Sequence, residues 1–331
     1  MIRRNCRKTA DTLVEHPITF AATPLIDKGS KVLALGSCFA LRVKEFLLAH
    51  GYGVLNEGDL RPWANNGRAE FDPRIYYNTF CIRYELERLT GEFVQAEDDY
   101  WEPHSNAARL FQDPYRRMLC APDRDALWSR IREVDAQMRQ HLLAADLVII
   151  TLGLTEVFFQ QHNERAICAA PGYCGGGGIG TAFRSTEYPE NYDNLEQVVR
   201  ILKEVNPRAQ LLLTVSPVPL GNTFAPDTDH AIANTESKSV LRAVAGAIVR
   251  KYDHVHYFHS YELVMHSARG DVFLEDGRHV QSAYVAGIMS QFEQQYVRTA
   301  PLEPRPSMRR GPRFIDLSTT LPSAFSPAPA R

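Results

Sequence analysis

Several features that would assign a role at once are missing from this 331-residue chain. No stretch approaches the ~20 apolar residues of a membrane-spanning helix. The opening MIRRNCRKTADTLVEHPITF carries charges with no continuous apolar run behind them, so it does not read as a secretory signal. No membrane span is expected, and a cytoplasmic location follows as the expectation. The six cysteines, Cys6, Cys38, Cys81, Cys120, Cys168 and Cys174, include no C-x-x-C pair, which argues against a disulfide framework and against a structural zinc site. They read as reduced thiols. A net charge of −2 leaves no basic excess to neutralise phosphates, so nucleic acid is not an expected partner. The glycine run Gly175–Gly178 lacks the Gly-Lys-Ser/Thr ending of a phosphate loop and reads as a mobile loop or lid. His254, His256 and His259 have no second ligand pair at metal spacing, so neither a metal nor a cofactor is expected.

What is present is ordinary in bulk, with 44% hydrophobic and 23% charged residues. A chain of this length can bury one large core. The stretch KVLALGSCFALRVKEFLLAHG, residues 31–51, reads as a buried strand, a glycine break and an amphipathic helix. Val32, Leu33 and Leu35 suit a central parallel strand, and Phe39, Val43, Phe46 and Leu47 recur near helical spacing. Ser37 stands at the junction. There a hydroxyl lies beyond the carboxyl end of a strand, where open α/β sheets bind ligands, and beside the unsatisfied N–H groups of a helix start. Serine is also a preferred helix cap, so the junction alone decides nothing.

The rest of the chain repeats the strand and helix alternation. Residues 1–30 read as an irregular lead-in, 52–55 as a short strand and 56–73 as a polar surface excursion. Helices are predicted over 79–89, 123–145, 192–205, 237–252 and 280–297, and strands over 146–152, 209–215 and 255–258. Residues 92–121 look aromatic and irregular, and 160–190 an insertion. Strands separated by helices imply parallel pairing, hence a three-layer α/β/α sandwich with a mostly parallel central sheet. The proline-rich residues 299–331 read as a disordered tail. Trp63, Trp101 and Trp128 read as core or rim aromatics, and His104 as a surface residue.

Three places fall at strand ends or in late loops: Ser37, the segment Gly153-Leu154-Thr155-Glu156, and Asp276-Gly277-Arg278-His279. An aspartate three residues before a histidine lets its carboxylate hold one ring nitrogen while the other takes a proton from serine. The order Ser, Asp, His is a compact form of the nucleophile, orienter and base arrangement. Asp-x-x-His is also common in solvated loops. Cys38 follows Ser37 but, one position on in a helix start, turns about 100° away, and reads as a packing thiol.

Gly36-Ser37-Cys38-Phe39-Ala40 resembles the signature of the GSCFA family, a group related to the SGNH (GDSL-like) hydrolases. Asn78-Thr79-Phe80, residues 151–156, 214–220, 233–242 and 260–262, and Asp276 with Arg278-His279-Val280 resemble the same family in the same order. The resemblance implies a flavodoxin-like sandwich forming one catalytic domain over 31–298, with Ser37 as nucleophile, His279 as base and Asp276 as its partner. In SGNH relatives the serine amide, a glycine amide and an asparagine side chain form the oxyanion hole. Here Thr155 stands at the asparagine position, Asn78 is the nearest alternative donor, and Gly153 and Glu156 flank the threonine as oxyanion or substrate contacts. The activity implied is a serine-dependent acyl-ester hydrolase, an esterase or deacetylase on a small-molecule or carbohydrate acyl ester. An acyltransferase on the same triad, or a non-catalytic binding protein on the same fold, are the alternatives. Oligomeric state is not legible.

Overall fold

A computed structural model describes residues 23–56, 75–103, 110–117, 119–171, 180–267 and 269–298. The proline-rich tail, the glycine run, Trp63, His104, residues 57–73 of the excursion and residues 1–22 of the lead-in lie outside those residues. By contact density the chain divides at residues 297 and 298.

Five runs of apolar residues form one parallel sheet: β1 (Lys31–Gly36), β2 (Gly53–Val54), β5 (Leu147–Leu152), β8 (Gln210–Val215) and β9 (Val255–Tyr257). Their order across the sheet is β2-β1-β5-β8-β9. Counted along the chain, that is the 2-1-3-4-5 order of doubly wound sheets, whose switch point lies between the first and third strands. The register runs Val32 to Leu147 through Gly36 to Thr151, and Leu147 to Gln210 through Leu152 to Val215.

These strands are apolar on both faces because helices cover both. Leu33, Leu35, Val148, Ile150, Leu211 and Leu213 pack under α2 (Thr79–Thr90), α3 (Arg124–Ala144), α4 (Tyr188–Val205) and α5 (His230–Lys251). Their alternating neighbours Val32, Ala34, Leu147, Ile149 and Leu212 pack against α1 (Cys38–Ala49), α6 (Ser260–Met265) and α8 (Ser282–Tyr296). The expected three-layer α/β/α architecture is therefore present. Helix ends follow local chemistry: Asn78, Asp123 and Asp229 cap α2, α3 and α5, and Gly91, with φ 77°, closes α2 in the left-handed region.

The structure departs from the sequence reading in four places. Helix α5 begins at His230 rather than near 237, because its first turns present Ile232 to solvent and leave no apolar stripe to read. The expected insertion is entered and left by an antiparallel hairpin, β6 (Glu156–Gln160) with β7 (Thr181–Ser185), whose strands lie too far apart in sequence to give a turn signal. A second small pair, β3 (Phe111–Gln112) and β4 (Cys120–Ala121), orders the aromatic stretch. Short α6 and α7 (Arg269–Val272) also escape periodicity. Among the described residues no helix is long and apolar enough to cross a membrane, and no cluster of His, Cys, Asp and Glu has metal-holding geometry.

Candidate active site

Ser37 sits where β1 ends and α1 begins, on one side of the switch point, and Gly153 sits just past the end of β5 on the other. Gly36 makes the exit from β1 with φ 114°, and a Cβ there would lie 2.2 Å from the Thr151 carbonyl oxygen. Only glycine fits so close an approach. Ser37 is 2% exposed. Its Oγ accepts from the Phe39 N–H at 3.4 Å and shares a 3.1 Å hydrogen bond with Thr151 Oγ1. The serine is thus a helix cap, and its hydroxyl also borders a cavity.

Its own backbone N–H donates to the Thr151 carbonyl at 3.0 Å. That commits the amide which the resemblance assigned to the oxyanion hole. The next N–H, of Cys38, faces its own thiol, and that of Gly153 makes no hydrogen bond among the described residues. A first-turn N–H such as that of Cys38 is a ready donor to an anion.

A third backbone segment joins these two. The Tyr76 N–H donates to the Gly36 carbonyl at 2.8 Å, and the Leu154 N–H to the Tyr77 carbonyl at 2.8 Å. A Cβ on Gly153 would lie 2.5 Å from that same Tyr77 oxygen, so Gly153 is glycine for space. Between these segments lies a small cavity of about 40 Å³, walled by Ser37, Cys38, Gly153, Ser216, Lys238 and Arg278 among others. A larger one of about 240 Å³ shares Tyr77, Leu154, Gly221 and Arg278 with it. Cys38, expected to turn away, lines the small cavity with Ser37. Burial pushes its thiol up, against the nearby charges of Arg278, Lys238 and Arg117.

Lys238 reaches this cavity from α5. It is 2% exposed, and its Nζ donates to the Gly153 carbonyl at 2.6 Å. Burial lowers its pKa to about 7; Cys38 acts against that shift and the Arg278 charge adds to it.

Asp276 and His279 form a local unit. Asp276 Oδ1 accepts from the backbone N–H groups of Arg278 and His279, each at 2.9 Å, and Oδ2 pairs with His279 Nδ1 at 2.5 Å. The His279 side-chain bond, then the backbone bonds, lower the Asp276 pKa to about 2. Both side chains are half exposed, at 46% and 50%. Among the described residues no hydrogen bond joins His279 to Ser37, and it is Arg278, not His279, that lines the small cavity.

The remaining expected site residues are placed differently. Asn78 caps α2 by accepting from the Cys81 N–H and donates to the Ile167 carbonyl, both at 2.9 Å, and it borders the larger cavity only. The Thr155 N–H donates to Ser237 Oγ at 2.8 Å, its carbonyl accepts from Thr186, and it lines neither cavity. Glu156 borders the larger cavity, where Oε1 accepts from Thr223 Oγ1 at 2.6 Å and Oε2 from the Phe224 N–H at 3.0 Å.

The GSCFA family model matches residues 31–292. The chain belongs to the GSCFA family. A search of curated proteins finds no match. Among solved structures, one described as "Peptidoglycan O-acetylesterase in action, 5 min" is 15% identical with a TM-score of 0.30, over 49% of this chain and 41% of its own. A second crystal structure is 14% identical with a TM-score of 0.31, over 82% of this chain and 98% of its own.

The GSCFA span contains Ser37, Lys238, Asp276 and His279. Of the residues at the site, Tyr77, Ser216, Lys238 and Arg278 were not singled out as site residues from the sequence. Lys238 had a usable signal, because it stands on the stripe of Leu241, Ala245 and Ile248, the buried face of α5. A lysine in a core position needs a reason.

Proposed function

We propose that this GSCFA chain is a serine-dependent acyl-ester hydrolase acting on a carbohydrate or small-molecule ester. The observation that carries the reading is the Ser37 hydroxyl, at the sheet's switch point, in a cavity it shares with Gly153 at the start of a helix. Ser37 Oγ attacks the ester carbonyl carbon while His279 Nε2 takes its proton, the Asp276 carboxylate holding Nδ1 and supporting the imidazolium. The tetrahedral oxyanion accepts from the Cys38 and Gly153 N–H groups, in place of the serine amide and the Thr155 side chain. Collapse expels the alcohol, which leaves with the proton from His279. Water then attacks the acyl-enzyme by the same steps in reverse. An acceptor alcohol in place of water makes the same intermediate a transferase.

One observation favours a second reading of the base. Lys238 lines the Ser37 cavity and His279 does not. With its pKa near 7, the lysine is in part a neutral amine at neutral pH and can accept the Ser37 proton.

Intact-mass spectrometry after exposure to a fluorophosphonate, and separately to p-nitrophenyl acetate, tests the nucleophile. One adduct is expected on the native chain and none on Ser37→Ala. Labelling that survives the substitution, or no labelling where a serine esterase control labels fully, overturns the reading and favours a binding protein on this fold. His279→Ala and Lys238→Met then identify the base, as the substitution that removes labelling.

A further inference from the structure

We propose that the larger cavity binds an anionic substituent, a carboxylate or phosphate on the alcohol part of the substrate, through the guanidinium groups of Arg117 and Arg278. The proposal takes from the hydrolase reading only which end of the substrate lies at Ser37.

The two cavities share Tyr77, Leu154, Gly221 and Arg278 in their walls and so are neighbours; in the proposal a molecule with its reacting carbonyl at Ser37 extends past Arg278 into the larger space. Both arginines line that space and both are held by protein contacts, with Arg117 Nη1 donating to the Tyr77 hydroxyl. The Arg278 Nε donates to the Pro219 carbonyl at 3.4 Å, and its guanidinium lies over Gly221, where a Cβ would come within 2.9 Å of it. The Arg117 guanidinium lies over the Tyr77 ring, 5.1 Å from its centroid. Such planar, pre-positioned forks match the oxygens of carboxylate and phosphate.

The charge of the cavity points the same way. Among the described residues Arg278 has no carboxylate partner. The carboxylate bordering the space is Glu156, and each of its oxygens already accepts from a neutral group of the 223–224 loop. Apolar residues line the same space, with Phe158 and Phe224 packed edge to face at 4.9 Å and Ile167 bonded through its backbone to Phe158. That apolar lining suits the body of a sugar ring or a similar alcohol. A substrate that brings no acceptor to Arg278 would strip water from its guanidinium and return no hydrogen bond, which is costly, whereas a carboxylate or phosphate returns a charge-assisted one. The field of both arginines reaches the Ser37–Cys38 junction, where it acts to lower the Cys38 pKa.

Isothermal titration of the full chain with glucuronate, glucose 6-phosphate and glucose reads binding without turnover, since none is a carboxylic ester. At least one of the two anions is expected to bind about tenfold or more tightly than glucose, the size of a charged hydrogen-bond gain. Its affinity is expected to fall as ionic strength rises. Glucuronate alone would mark a carboxylate site, glucose 6-phosphate alone a phosphate site. Arg278→Gln and Arg117→Gln, checked for an unchanged melting temperature, are each expected to remove the preference. If one variant does not fold, the other and the salt dependence of the native chain carry the test. Equal binding of glucose, no binding of any of the three, or a preference that persists in both variants overturns the proposal. Fluorophosphonate labelling of Ser37 is read separately, so labelling without anion preference defeats this inference alone, and anion preference without labelling defeats the hydrolase reading alone.

Discussion

Ser37 and Gly153 are held by atoms far away in the sequence, whereas Asp276 and His279 are held by each other. Ser37 bonds to Thr151 by backbone and side chain, and Gly153 accepts from Lys238, so two strands and a helix fix the surroundings of Ser37. The Asp276 loop closes on itself within three residues and touches the rest of the site through Arg278. Disturbing the first region means disturbing the sheet, while disturbing the second does not. In the proposed chemistry the oxyanion donors are therefore fixed before substrate arrives, the arrangement that stabilises developing charge most. The Asp276–His279 pair sits on a half-exposed loop with no hydrogen bond to Ser37 among the described residues; under the proposed chemistry that bond forms when substrate binds, as catalytic hydrogen bonds often tighten on binding.

Two glycines of positive φ make the comparison measurable. Gly36→Ala drives a methyl into the Thr151 backbone, which cannot yield without moving β1 from β5. A loss of about 3 kcal/mol or more in urea unfolding is expected, the range of severe overpacking. Gly277 has φ 64°, but a methyl added there would meet nothing within 4 Å. Gly277→Ala is expected to cost only the left-handed strain, about 1–2 kcal/mol. A loss at Gly277 equal to that at Gly36 would show that the loop is as tightly built as the strand ends.

Between those two in size stands Asp276→Asn. An amide keeps the shape of the loop but no longer supports an imidazolium, and kcat/KM on a responsive ester is expected to fall about 10²-fold, the lower end of acid–base contributions. A fall of less than about threefold would remove His279 from the proton path and leave Lys238 as the base.

The layered sheet was legible because its strands carry short, continuous apolar runs and its helices long apolar stripes. Ser37 was legible for the same reason, standing where one pattern changes to the other. Asp276 and His279 were legible because their partnership is local in sequence. What could not be read was whatever depends on a distant backbone. Thr155 looks like a site residue by position, yet its amide and carbonyl are tied to Ser237 and Thr186 and it lines neither cavity. The Ser37 amide looks like an oxyanion donor until β5 supplies the Thr151 carbonyl. The early start of α5 was hidden by an exposed Ile232, and the β6–β7 hairpin by the length of chain between its strands.

The smallest expected effect concerns Lys238, the long-range tie of the Ser37 region. In the unfolded chain a lysine holds its proton up to about pH 10.4, whereas in the folded protein burial lowers Lys238 to about 7. Between those values the unfolded state binds more protons, so stability rises with pH across that window and the contribution is flat below it. The slope from one such group cannot exceed about 1.4 kcal/mol per pH unit. The charged or titratable groups acting on Lys238 are Cys38 and Arg278; the Cys38 thiol, pushed up by burial, stays protonated below its raised pKa. Urea unfolding at about pH 7 and 8 should then show the native chain gaining about 1 kcal/mol over Lys238→Met. Parallel slopes would mean that the lysine is fully charged in the folded state at neutral pH. It would then hold Gly153 as a cation beside Ser37, stabilising an oxyanion there, and the proton of Ser37 would have only His279 to go to.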